Sequence, residues 1–188
     1  MSGKRSAGLL LFRGAATDLE VLIGHMGGPY WAARDEGAWS IPKGEYGPEE
    51  QPEAAARREF EEELGLPAPD GGRIALGESR QPGGKTVTVW AVEGDLDPRC
   101  VVPGTFTMEW PPRSGVPTEF PEVDRVGWFP LERAAELLVP GQRIFLDRLA
   151  HHIRGGGGGP RPPPPPGGKP RDPRCLTAAP RGAGQARA

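Results

Sequence analysis

The run Arg58-Glu59-Phe60-Glu61-Glu62-Glu63-Leu64-Gly65 places carboxylates at i, i+3 and i+4 just ahead of a glycine. On a helix Glu59, Glu62 and Glu63 project from nearly one side, because steps of three and four residues return to the same face. Phe60 and Leu64 fall on a neighbouring stripe, so one helix can pack into a core and still offer an acidic edge to a cavity. A solvated acidic face is the alternative reading of such a run. Like charges at i,i+4 cost an exposed helix only about 0.2–0.5 kcal/mol. Partly buried carboxylates roughly 6 Å apart, at an effective dielectric of about 20, repel by about 3 kcal/mol per pair. Arg57 and Arg58 offset part of this, yet neither is placed to sit among all three carboxylates. A hard divalent cation is, and carboxylate ligation with no Cys or His nearby favours Mg²⁺ or Mn²⁺ over Zn²⁺.

Residues 44–66 read GEYGPEEQPEAAARREFEEELGL and resemble the Nudix box, G-x5-E-x7-R-E-U-x-E-E-x-G-U, where U is a bulky apolar residue. Gly44, Glu50, Arg58, Glu59, Glu62, Glu63 and Gly65 occupy the fixed positions, with Phe60 and Leu66 in the apolar ones. Phe60 stands where Ile, Leu or Val is usual, a departure that bears on packing. The resemblance implies an α/β/α sandwich with a mixed β-sheet covering 6–153, and hydrolysis of a diphosphate linkage. It further implies that Glu59, Glu62 and Glu63 bind the divalent ions, with the backbone carbonyl of Lys43 as a further ligand. Arg58 would pair with Glu50 and orient Glu59. For the general base, Glu59 competes with Glu109, Glu119, Glu122 and Asp124; Pro117, Phe120 and Pro121 suggest an ordered loop that favours Glu119 and Glu122 among the later four.

Local sequence supports a module that could position these groups. Pro52 suits a first helical turn, where its missing N–H has no partner to lose. Ala54, Ala55 and Ala56 favour the helix, and Gly65 followed by Pro67 stops it, so a helix over 52–64 is expected. Strands are expected over 6–13, 19–25, 73–79 and 85–93, with a short late one at 126–129. A helix from Pro130 through Leu138 and another over 142–153, with Ile144, Phe145, Leu149 and Ile153 as its apolar stripe, complete the expected elements. The segment 99–121 reads as a rigid aromatic and proline loop around Trp110. It forms either a wall of the substrate cleft or an insertion over a sheet edge.

Composition divides the chain of 188 residues. Residues 155–188 hold 9 Gly and 9 Pro in 34 positions and cannot build a core, so a disordered basic tail is expected there. Six Lys or Arg against Asp172 give it +5, which leaves −7 on a domain at 1–154, given −2 for the whole chain. An acidic domain argues against binding a nucleic-acid backbone, and no specific DNA binding is expected. The partner of the tail is unknown. Cys100 and Cys175 make no disulfide framework or zinc site. With no secretory pattern at 1–13 and no membrane span, a cytoplasmic protein is expected.

Substrate is less legible. Stretches 6–12 and 85–90 are similar to those of Nudix enzymes that cleave diadenosine tetraphosphate, but Tyr30 and Tyr46, the two tyrosines, are not downstream of the box where such enzymes often carry one. No signature for NADH or coenzyme A appears. Lys43, Arg34, Arg80 and Lys85 are candidates for holding phosphates. Tyr30, Trp31, Trp39, Trp90, Phe106 and Trp110 are candidates for stacking on a base, with two or three expected to touch ligand. Two readings follow: a metal-dependent hydrolase of a nucleoside or dinucleoside polyphosphate, or a nucleotide-sensing domain whose tail recruits a partner.

Overall fold

The structure, a computed structural model, describes residues 4–155. The expected tail therefore lies outside the described residues, apart from Gly155, as does Cys175.

The central strands are β1 (Arg5–Arg13) and β2 (Glu20–Met26). Seven consecutive residues of β1 are buried, as a strand covered on both faces requires. They alternate: Ala7, Leu9 and Leu11 turn to one apolar cluster, Leu10 and Phe12 to another. Two short strands follow, β3 (Trp39–Ser40) and β4 (Lys43–Glu45), and then the helix α1 (Pro52–Leu64), with the bounds its sequence foretells. Next come β5 (Arg73–Arg80) and β6 (Thr86–Glu93). A hairpin of β7 (Thr105–Glu109) and β8 (Pro117–Pro121) leads to β9 (Val123–Pro130), α2 (Leu131–Leu137) and α3 (Arg143–Gly155).

Among the described residues the main sheet has seven strands, ordered β3-β2-β1-β6-β5, with β4 also paired to β1 and β9 to β2. The β1–β6 pair is parallel and the rest are antiparallel. Helix α1 packs Ala55, Ala56, Phe60 and Leu64 against one face, while α2 and α3 cover the other through residues such as Leu137, Phe145 and Leu149. This is the α/β/α sandwich with a mixed sheet.

Three expectations need correction. The segment 99–121 is not a loop but contains the β7–β8 hairpin: β7 alternates as Thr-Phe-Thr-Met-Glu, while the prolines that begin and end β8 conceal its partner strand in the sequence. The late strand is twice as long as expected, because it pairs along the whole of β2. On α3, Ile144 is exposed and Leu146 takes its place in the core, since the helix lies rotated relative to the anticipated stripe.

One feature of the sheet creates the site. Strands β1 and β2 pair only from Leu11↔Leu22 to Arg13↔Glu20 and then part. Strand β4 takes up the free edge of β1, through Gly8↔Lys43, and β3 takes up that of β2, through Gly24↔Ser40. The chain bridging the split is fixed by buried Gln142, whose Oε1 accepts from the Ile41 N–H at 2.8 Å.

Candidate active site

A cavity of about 260 Å³ opens in this split. Its wall includes Lys43 and Glu63, Glu122 just before β9, and the aromatic residues Trp31 and Phe106. Helix α1 aims its acidic edge here because its opposite face is anchored in the core. Gly65 ends it in the left-handed region, at φ 65°, with its N–H donating to the Glu61 carbonyl at 2.9 Å. A side chain on Gly65 would also run into the Val102 carbonyl.

The three carboxylates of the helix sit at graded depth. Glu63 is enclosed at the cavity wall and accepts from the Lys43 N–H at 3.1 Å. Burial pushes its carboxyl up to about 7, against the opposing pull of the Lys43 ammonium and N–H. Glu59 is intermediate, with its side chain 13% exposed, and Glu62 is outermost at 57%. Gly44 lies directly against the Glu59 carboxylate, so any Cβ there would occupy its place. This close approach is the physical reason for a glycine at that position.

Arg58 organises the outer part. Its Nε and Nη2 donate to the two oxygens of Glu50 at 2.8 and 3.0 Å, a bidentate pair. Its Nη1 donates to Glu59 Oε1 at 2.7 Å and to Glu62 Oε2 at 3.0 Å. Glu50 is held below the usual carboxylate range by the Arg58 hydrogen bonds, and those bonds raise Arg58 in turn. One guanidinium thus compensates Glu59 and Glu62 but not Glu63. Among the described residues no three His, Cys, Asp or Glu side chains converge tightly enough to cage an ion as they stand. The donor set nevertheless fits a hard cation. Glu63 is a desolvated carboxylate with too little positive charge to keep it ionised near neutrality, and Glu59 stands beside it with oxygen ligands only.

The remaining sequence candidates divide by position. Glu122 lines the cavity, and burial, then Glu59 and Glu62, push its carboxyl up. Glu119 lies exposed on β8, opposite Thr107. Glu109 accepts from the Gly115 N–H at 2.8 Å within the hairpin turn. Asp124 is 2.6 Å from the His25 ring. Lys43 lines the cavity, and burial lowers its ammonium, with Glu63 opposing and Lys85 reinforcing the shift. Lys85 is paired with Glu45 at 3.2 Å.

Arg34 is exposed, its guanidinium 5.9 Å from the Trp31 ring centre. Arg80 ends β5 outside the cavity wall. Trp39, expected as a base platform, is a core residue only 4% exposed. It is packed edge-on against Phe129 and His25, with its indole N–H on Asp35, so no ligand can stack on it. Trp110 touches Tyr30 edge-on at 5.4 Å and is not part of the wall; Phe106 is the hairpin's contribution. Sequence reasoning missed His25. The available signal was a histidine in step with Val21 and Ile23 on the inward side of a strand.

The NUDIX domain family model matches residues 4–149, and the chain belongs to that family. Its fold is similar to a Caenorhabditis elegans Ap4A hydrolase, with a TM-score of 0.56 at 21% identity over 81% of this chain and 98% of that one. It is similar also to the Mycobacterium smegmatis Nudix hydrolase RenU, with a TM-score of 0.52 at 23% identity over 86% and 92% of the two chains. The NUDIX domain of Shewanella oneidensis NrtR, solved with ADP-ribose, gives 0.52 at 14% identity over 81% and 90%. No curated protein sequence matches the chain. Family membership supports a pyrophosphohydrolase. No helix among the described residues is long and apolar enough to cross a membrane.

Proposed function

We propose that residues 1–154 form a divalent-metal-dependent hydrolase that cleaves a diphosphate linkage in a nucleoside or dinucleoside polyphosphate, and that 155–188 form a basic tail outside that activity. One observation carries the reading: a single cavity presents a desolvated carboxylate, a cation and two aromatic rings. Phosphate, metal and base each find their chemistry there.

Glu59, Glu62, Glu63 and the Lys43 carbonyl would hold Mg²⁺ or Mn²⁺. When bound, such an ion makes a coordinated water more acidic and offsets charge on the phosphoryl oxygens. Arg58, tied to Glu50, holds Glu59 in orientation and screens Glu62 from it. Lys43, which lines the cavity, would pair its ammonium with phosphate. Glu122, whose proton affinity is raised by burial, accepts the proton of the attacking water as that oxygen bonds to phosphorus and the anhydride P–O bond breaks. Trp31 and Phe106 contact the base or the leaving group.

The test is turnover of nucleoside triphosphates, diadenosine polyphosphates and nucleotide sugars with Mg²⁺ or Mn²⁺, with Glu62→Gln and Glu63→Gln as controls. Turnover that favours one substrate class and disappears in the variants is expected. Nucleotide binding without turnover under either metal would instead establish a sensing domain. That second reading draws on Arg58 holding Glu59 and Glu62 as they stand.

A further inference from the structure

His25 is fully buried, and both of its ring nitrogens have acceptors: Nδ1 lies 2.6 Å from Asp124 Oδ1 and Nε2 lies 2.7 Å from the Arg34 carbonyl. A backbone carbonyl can only accept, so Nε2 donates to it. The ring thereby bridges two segments of the chain through both of its nitrogens. The other charged groups around the ring are Arg125, 3.7 Å from the same Asp124 oxygen, and Asp35, which accepts from the indole packed edge-on to His25.

The location gives this pair a consequence. The β2–β9 ladder shifts register between His25↔Arg125 and Met26↔Val123, leaving Asp124 as the extra residue of a bulge. Bulges re-aim side chains beside active sites. On either side of it lie Met26, Gly27, Glu122 and Val123, all in the cavity wall, and the Gly27 N–H donates to the Glu122 carbonyl at 2.9 Å. The other acceptor, the Arg34 carbonyl, belongs to the 27–38 connection that supplies Trp31. One ring therefore ties the bulge bearing Glu122 to the segment bearing Trp31.

We propose that His25 is a positioning residue of the substrate cleft: held between Asp124 and the Arg34 carbonyl, it sets the distance between the Glu122 and Trp31 walls. The inference rests on reading that cavity as the substrate site. Asp124→Ala leaves the ring tied to the Arg34 carbonyl alone, while the amide of Asp124→Asn can still meet Nδ1.

The experiment uses full-length protein and measures affinity for α,β-methylene-ATP with Mg²⁺ in wild type, Asp124→Ala and Asp124→Asn, with hydrogen exchange at the Gly27 and Trp31 amides followed in parallel. Asp124→Ala is expected to bind about tenfold more weakly and to exchange these amides faster, and Asp124→Asn to restore both. Unchanged affinity in Asp124→Ala, or an equal loss in Asp124→Asn, overturns the proposal. Absence of nucleotide binding in wild type would count against the substrate reading, and the amide exchange would still decide whether the ring holds the two walls.

Discussion

Glu63 and Phe106 line one cavity, yet Glu63 stands on a helix anchored in the core by Ala55, Ala56, Phe60 and Leu64, while Phe106 stands on a hairpin whose strands pair only with each other. An isolated two-stranded hairpin is marginal in water. The β7–β8 hairpin therefore depends on what it touches: the close approach of Phe106 to Gly28, the Tyr30–Trp110 ring contact, and at its base the bond from the Gly27 N–H to the Glu122 carbonyl at 2.9 Å. The contrast separates two tasks. Groups whose geometry must be fixed sit on a packed helix, and groups that recognise a ligand sit on segments joined to the fold by few contacts.

That division yields predictions of graded size. Glu63→Gln should reduce turnover by on the order of 10³-fold or more while leaving nucleotide affinity within severalfold, since it removes an electrostatic group and little else. Single-turnover rates and equilibrium binding separate the two, and a small rate loss would take Glu63 out of the chemistry. Gly44→Ala should cost roughly 10²-fold in rate, because the new Cβ displaces the Glu59 carboxylate. A crystal structure of the variant with Glu59 unmoved would contradict the cause.

Smaller effects test the charge balance of the helix wall. The folded protein holds the Glu63 proton up to about pH 7, above the ordinary carboxyl range. The stability this contributes is fully present below the unfolded value and is lost as pH rises through the folded one. Metal-free protein should therefore be less stable at pH 8 than at pH 5, by up to about 3 kcal/mol from this group. Denaturant melts in chelator should show that decline, Glu63→Gln should lack it, and Mg²⁺ at pH 8 should reverse it. For the recognition wall, Phe106→Ala should raise KM about tenfold and alter the ranking of substrates with little change in kcat. Trp110→Ala should leave that ranking intact, since Trp110 is outside the cavity wall. If the two variants behave alike, the hairpin acts as one unit and the distinction between its residues fails.

The legibility of the molecule follows the same line. Helix α1 was readable to the residue because Pro52, the alanines and Gly65 act locally, through steps of one turn. The pairing of Arg58 with Glu50 and Glu59 was implied by the resemblance to the Nudix box, and the contacts span at most 8 residues. The hairpin was not readable, although β7 alternates, because β8 begins and ends in proline and is made a strand by its pairing with β7. Trp39 illustrates the reverse error: an aromatic residue just before the box looked available for a base, and the strand β3 turned it into the core.

By itself, then, the sequence determined the acidic edge of α1, the glycines that flank it, and the acidic domain that carries them, since each depends on residue type and near-neighbour spacing. Only the tertiary structure decided that β1 and β2 part to open a cavity, that Glu122 rather than Glu119 reaches its wall, and that Asp124 turns onto His25, 99 residues earlier. Those outcomes rest on strand pairing and on a bulge between distant segments. The free energy of such contacts belongs to both partners at once, and neither stretch of sequence contains it alone.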